Sequence, residues 1–462
     1  MCAPSPSLTP ALRPTRACLR GGRSLRAAIA IALALGASAG ARAQTLLELY
    51  DAAHGYDATY LSARALAESV PYRIEQSEAL LRPSASLGSS ASRVETNPAF
   101  GPNYGSNSVS LSLTGRQPIF NRANVATVRQ AEKSLEVSRA DLDTAEQDLI
   151  LRLSQAYFDV LGAQDTLATT RAAKTGISEQ LASAKRSFEV GTATITDTRE
   201  AQARYDLATA QEVAAENDLL TKRIALDQLV GRANVVPKQL ALPVTLPALV
   251  PSNAEAWVSQ AETQHPAIRR AQVTLDIAKL ETTKARAAAL PTVDAVGSVS
   301  SARGAIGTIA GAAGVTVRNN SNASLGLQLN MPLYSGGSIQ NRVKETLVLE
   351  DRSLNDLEAA RRSVQQATRQ AFYTLLSGAA QVRALEAAES SSQLALEATQ
   401  LGYRVGVRVT IDVLNATTQL FQTRRDLARA RYDVLLGTLR LRQAAGLVTA
   451  QDIAAVDRLL NR

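Results

Sequence analysis

Two short stretches decide the reading of this chain: Gly191-Thr-Ala-Thr-Ile-Thr-Asp197 and Gly406-Val-Arg-Val-Thr-Ile-Asp412. They lie 215 residues apart. The same shift pairs Gln155-Ala156 with Gln370-Ala371, Val190 with Val405, Ala201 with Ala416, Asp218 with Asp433 and Gly231 with Gly446, with no gap. By length alone, 462 residues could hold several domains. The repeat argues instead for one unit built twice, each with a Gly-containing turn between two long helical arms.

Composition favours long helices over a large globular core. Ala, Leu, Gln and charged residues dominate, and aromatics are 4%. Residues 1–43 read as a secretory signal peptide. Arg13, Arg16, Arg20, Arg23 and Arg26 form a basic stretch, Ala27 to Ala39 is an apolar run too short to span a bilayer, and Ala41-Arg42-Ala43 fits a cleavage site. The segment holds six Arg and no acid, so its removal lowers the net charge from +8 to +2. That balance gives no reason to expect a nucleic-acid partner. Cys2 and Cys18 leave with the signal, and the mature chain is expected to have no disulfide, no Cys-based metal site and no thiol nucleophile. No Cys stands at the cleavage point to carry a lipid.

The first repeat (44–231) opens with a helical stretch from about Thr45 to Leu81, closed by Pro83. Val109, Leu111 and Leu113 then alternate with Ser108, Ser110, Ser112 and Thr114, the period of a strand with one apolar face. Residues 84–96 are the weaker partner strand of a hairpin, 84–118, which Pro118 ends. From about Arg122 to Phe188 there is no Pro, and Leu135, Leu142, Leu149, Leu153, Ala156, Val160 and Leu167 follow a coiled-coil seam. A return helix follows the first turn and stops at Gly231. Residues 232–252, with Pro237, Pro243, Pro247 and Pro251, read as an extended linker.

The plan then recurs over 253–446. A helix to Leu290 is broken at His265-Pro266, and a hairpin over 292–334 has a Gly-rich loop (Gly304, Gly307, Gly311, Gly314). In its clear strand, Leu325, Leu327, Leu329 and Met331 alternate with Ser324, Gly326, Gln328 and Asn330. A long helical hairpin follows, ending at Gly446. Residues 447–462 read as a C-terminal tail.

Four half-apolar strands per chain leave unpaired edges. A membrane barrel must close, and the smallest have about eight strands. Several chains would have to share one, with the Ser/Gly face toward a wet lumen and the Val/Leu face toward lipid. A small soluble sheet capping a helical rod is the alternative. No helical segment has the ~20 apolar residues needed to cross a bilayer. The helices are therefore expected in the periplasm, packed into a hollow cylinder continuous with the barrel. The fold class is mainly α with a membrane β-barrel portion.

The chain resembles the TolC family of outer-membrane export channels over nearly its whole mature length. The resemblance rests on the repeat, on Gln117-Pro-Ile-Phe120 and Met331-Pro-Leu-Tyr334, and above all on Tyr403-Arg-Val-Gly406-Val-Arg408-Val-Thr-Ile-Asp412-Val-Leu-Asn415-Ala416. It implies a homotrimer with a twelve-stranded barrel, and a periplasmic α-barrel tapering at the two turns that carry Gly191 and Gly406. It also implies docking of a periplasmic adaptor and an inner-membrane ABC transporter or RND pump. By position, Asp197 of the outer coil would pair with Arg408 of the inner coil, with Tyr403 adding a hydrogen bond to this gating latch. Asp412 would lie in a ring of acids at the channel constriction. The second acid of that ring is Asn415 here, leaving three carboxylates per trimer rather than six. By spacing alone, Asp197 and Asp412 fit first-turn acids that stabilise helix N-termini, and Arg408 fits a solvated turn residue.

The sequence offers little for catalysis or cofactors. His54 and His265 are the two His of the chain and stand in different repeats, which argues against zinc or a Ser/His triad. The glycines of 304–314 lie between strands with no Lys and helix start after them, so they are no phosphate loop. The function expected is a passive exit duct for type I secretion of proteins such as RTX toxins. The outer-membrane component of a multidrug efflux pump is the alternative, and a periplasmic coiled-coil adaptor is a third reading.

Overall fold

A computed structural model of the chain describes residues 44–97, 99–100, 104–241, 249–306 and 316–460. The expected signal peptide, the centre of the linker and Gly307, Gly311 and Gly314 lie outside the described residues.

The elements follow the repeat. The first unit comprises α1 (Leu46–His54), α2 (Ala58–Glu78), β1 (Ser84–Thr96), β2 (Tyr104–Phe120), α3 (Arg122–Glu189) and α4 (Ile195–Val230). The second comprises α5 (Ala254–Gln264), α6 (Pro266–Ala287), β3 (Thr292–Ile306), β4 (Thr316–Asn330), α7 (Ser338–Arg404) and α8 (Thr410–Ala444). A last helix, α9, covers Ala450–Asp457.

Expectation and structure differ in four places. The first helical stretch is two helices, because the chain turns at Gly55-Tyr56 and Asp57 caps α2 by accepting from the Tyr60 amide. Pro118 does not end β2: the strand runs on to Phe120 through a register irregularity at Pro118/Phe120, since Pro has no amide to give the ladder. Met331 and Pro332 lie beyond β4, which ends at Asn330. The C-terminal segment is no loose tail. Val448, Ile453, Val456 and Leu460 are buried in the central core, and the Asp457 carboxylate accepts from the first amides of α1, Leu46 at 2.8 Å and Leu47 at 2.9 Å.

The helices pack as coils. α3 has 68 residues and α7 has 67, each on the order of 100 Å at helical rise. α3 pairs with α4, and α7 with α8, while α6 packs against the upper parts of both long helices. A central cluster of Leu46, Leu49, Leu149, Leu153, Tyr157 and Leu435 ties the coils to α1 and α9. Trp257 is buried beside the linker and donates from Nε1 to the Pro251 carbonyl at 2.8 Å. His265 caps α6 through Nδ1, and burial lowers its pKa. Among the described residues no helix is long and apolar enough to cross a membrane.

The four strands form one antiparallel sheet in the order β1-β2-β3-β4. The register sorts side chains by face. Leu87 opposes Leu113, which opposes Val299; Leu325 and Leu327 share that face from β4. Val109, Leu111, Leu113, Leu325, Leu327 and Leu329 are all exposed on it. The opposite face is a hydroxyl surface: Ser90 meets Ser110 at 2.8 Å, Ser92 meets Ser108 at 2.7 Å and Ser298 meets Ser324 at 2.8 Å. An exposed apolar face backed by a polar one suits lipid outside and water inside. β1 and β4 each keep one unpaired edge.

Candidate functional site

Both long coils end in turns of the same design. At the first, the Thr192 amide donates to the Ser187 carbonyl at 2.8 Å and the Gly191 amide to Phe188 at 3.0 Å. At the second, Val407 donates to Gly402 at 2.9 Å and Gly406 to Tyr403 at 3.1 Å. Each is a Schellman closure, which needs a left-handed residue just past the helix. Gly191 at φ 77° and Gly406 at φ 82° supply it. The conserved spacing of the two turns in the sequence is thus a backbone requirement met twice.

The return helices start differently. Thr194 caps α4 with a full capping box: its hydroxyl accepts from the Asp197 amide, and Asp197 Oδ2 accepts from the Thr194 amide at 3.0 Å and from its hydroxyl at 2.7 Å. The corresponding residue in the second unit is Val409, which has no side chain to cap with. Asp412 is therefore not held in a box. Its Oδ2 lies 3.5 Å from Arg408 Nη1 of the same turn, a half-exposed pair worth ~0–1 kcal/mol.

The expected latch residues are not joined within one chain. Asp197 faces its own cap, and Arg408 lies on Asp412 and packs over Gly402. Tyr403 is partly buried against Leu396, Val413 and Leu420, and among the described residues its hydroxyl makes no hydrogen bond. Two further residues join the coils at the tip. Leu414, 1% exposed, inserts from α8 among Ile177, Leu181, Ala184, Ala201 and Ala208 of the first coil. Such burial is worth roughly 1.5–3 kcal/mol. Beside it, Asn415 Oδ1 accepts from Arg204 Nη2 at 3.1 Å. The repeat marks Ala201 and the family resemblance marks Asn415, but neither gives a reason to single out Arg204, whose role depends on how two distant helices meet.

Higher up, the coils are tied by a polar contact in the groove between α3 and α8. The Tyr432 hydroxyl donates to Asp165 Oδ2 at 2.6 Å. Burial raises the pKa of Asp165, and raises that of Tyr432 as well. No cluster of three or more His, Cys, Asp or Glu suited to a metal occurs among the described residues.

The family model for outer membrane efflux proteins matches residues 49–232 and 257–447, one match per repeat. The chain is 32% identical to the outer membrane protein TolC of Escherichia coli, over 94% of this chain and 89% of that protein. It is 30% identical to the alkaline protease secretion protein AprF of Pseudomonas aeruginosa, over 75% and 71% respectively. The crystal structure of the outer membrane protein VceC of Vibrio cholerae superposes with a TM-score of 0.73 at 17% identity, covering 87% of this chain and 96% of that one, a likeness of fold. TolC-like channels are trimers, are not enzymes, and function with periplasmic adaptors and inner-membrane transporters. With both halves matched, this chain belongs to the outer membrane efflux protein family, seated in the outer membrane and extending into the periplasm.

Proposed function

We propose that the chain is the passive exit duct of a type I protein-secretion system. An inner-membrane ABC transporter supplies the energy, and a periplasmic adaptor joins it to the tunnel tip. The cargo class is unfolded protein of the RTX-toxin kind. The likeness to a protease secretion protein over most of the chain supports this branch, as does the expected unlipidated mature N-terminus. One observation carries the channel reading: a four-stranded sheet with an exposed Leu/Val face, a hydroxyl face and two open edges, joined to two coils of about 100 Å that end in matched turns. The outer-membrane component of a multidrug efflux pump, with an RND partner, is the second reading, and the family's efflux description favours it. Deleting the gene in its host separates the two. Loss of proteins from the culture supernatant with unchanged drug susceptibility supports type I secretion, and the reverse pattern supports efflux.

The constriction is formed by Asp412 and Asn415, and the gate is latched by Arg408 and Tyr403 of one coil against Asp197 across a chain boundary. Asp197 Oδ1 has no partner within the chain among the described residues, so one oxygen can serve the cap and the other the latch. Replacing Asp197 or Arg408 by Ala is expected to raise single-channel conductance in planar bilayers. Unchanged conductance in both variants would discard the latch. Asp412→Asn is expected to weaken block by multivalent cations, and unchanged block would put Asp412 off the pore.

A further inference from the structure

The latch just described runs between chains, but the tip also carries a polar tie inside each chain. Among the described residues, Arg204→Asn415 is the side-chain hydrogen bond that joins 177–208 of the first coil to 396–420 of the second. It adjoins the one apolar tie, Leu414 in its pocket on α3 and α4. The two ties come from consecutive residues of α8. Leu414 faces the first coil and is buried, while Asn415 sits at the exposed edge of the contact. Arg204 is half-buried and reaches that edge.

We propose that Arg204 is a positioning residue, a clasp that holds the second-repeat coil against the first within each chain when the mouth is closed. This rests on the reading of the tips as the mouth. Any movement that swings α8 away from α4 must break the bond, because its two partners stand on the two coils. Asn415 suits the task chemically. Its carbonyl oxygen accepts from the guanidinium without adding a charge, so the clasp does not deepen the negative potential around Asp412. Residues 185–206 and 404–415 together hold six Lys or Arg and five Asp or Glu, so the tip is close to neutral.

Single-channel recordings on the full-length trimer test this with four variants: Arg204→Ala, Asn415→Ala, the double variant and Arg204→Lys. An exposed, charge-assisted tie biases a two-state element by up to about fivefold. Each Ala variant is therefore expected to raise conductance or open time by about two- to fivefold. The double variant should go no further than the larger single one, since both remove the same bond. Arg204→Lys keeps a cationic donor and should rise less than Arg204→Ala. Wild-type behaviour in either Ala variant, additive effects in the double, or an Arg204→Lys rise equal to that of Arg204→Ala would overturn the clasp. A wild-type protein that forms no pore at all would instead sink the channel reading beneath it.

Discussion

Asp197 and Asp412 occupy the same place in two copies of one unit, yet a single neighbouring side chain gives them different work. Thr194 closes a capping box on Asp197, whereas Val409 leaves Asp412 to Arg408. The cap is worth about 1 kcal/mol, within a range of roughly 0.5–2. Thr194→Val is therefore expected to lower the melting temperature of the detergent-solubilised protein slightly, whereas Val409→Thr should raise it. No difference between the two variants would contradict the assignment. The sequence offers a helix-start role for both residues, beside a latch role for Asp197 and a pore role for Asp412. It could not separate them by spacing, because spacing is what the repeat preserves. The distinction lies three residues upstream, in whether the N-cap residue owns a hydroxyl. Gly191 and Gly406, by contrast, were legible at once, since a helix that ends in a Schellman closure asks for glycine there. Arg204 was not legible, because its partner is 211 residues away.

At the scale of elements, α2 owes its start to Asp57, which caps it and takes a two-pronged hydrogen bond from Arg152 of α3 at 2.8 and 3.1 Å. The Arg152 hydrogen bond holds the Asp57 carboxyl below its usual range, with the Tyr60 amide adding to this against the effect of burial. A depressed carboxyl stabilises the fold above its unfolded pKa, near ~3.9, and that contribution fades as the pH falls through the folded value. Asp57→Ala is expected to cost about 1–2 kcal/mol at neutral pH, with the half-exposed Arg discounted. Its gap from wild type in heat-dissociation temperature should shrink below about pH 4. A gap that stays constant with pH would assign the cost to packing alone. The sequence joined α1 and α2 into one helix because their apolar spacing is continuous; the break is set by the local bonding of Asp57. Strand β1 was the weakest reading, since Ser-rich residues carry little alternation of their own. Its position follows from its neighbour, with Leu87 opposite Leu113 and Ser90 opposite Ser110. The two faces of β2 should respond differently to charge. Leu113→Lys on the apolar face is expected to cost ~2–4 kcal/mol near the bilayer midplane. It should sharply reduce heat-stable oligomer, whereas Ser112→Lys on the hydroxyl face should preserve oligomer and shift ion selectivity. Equal losses in both would contradict the lipid and lumen assignment.

For the whole molecule, the decisive feature is an incomplete sheet. β1 and β4 present open edges of 13 and 15 residues, and in hydrocarbon each unsatisfied backbone group costs several kcal/mol. Pairing β4 of one chain with β1 of the next removes the edges, and three chains give the twelve strands that the family resemblance implies. The general plan was legible because repeats, Pro spacing and period-two alternation survive without any partner. Those signals are local, or recur at a fixed shift. The C-terminal segment escaped notice for the opposite reason: α9 has 8 residues, too few to show a period, and earns its place through contacts with α1. The most direct test of the shared barrel is native mass spectrometry of the protein extracted from outer membranes, run alongside planar-bilayer recording. The expected result is a three-chain species that resists dissociation until heated and conducts. A monodisperse single chain that is soluble without detergent and makes no pore would contradict it.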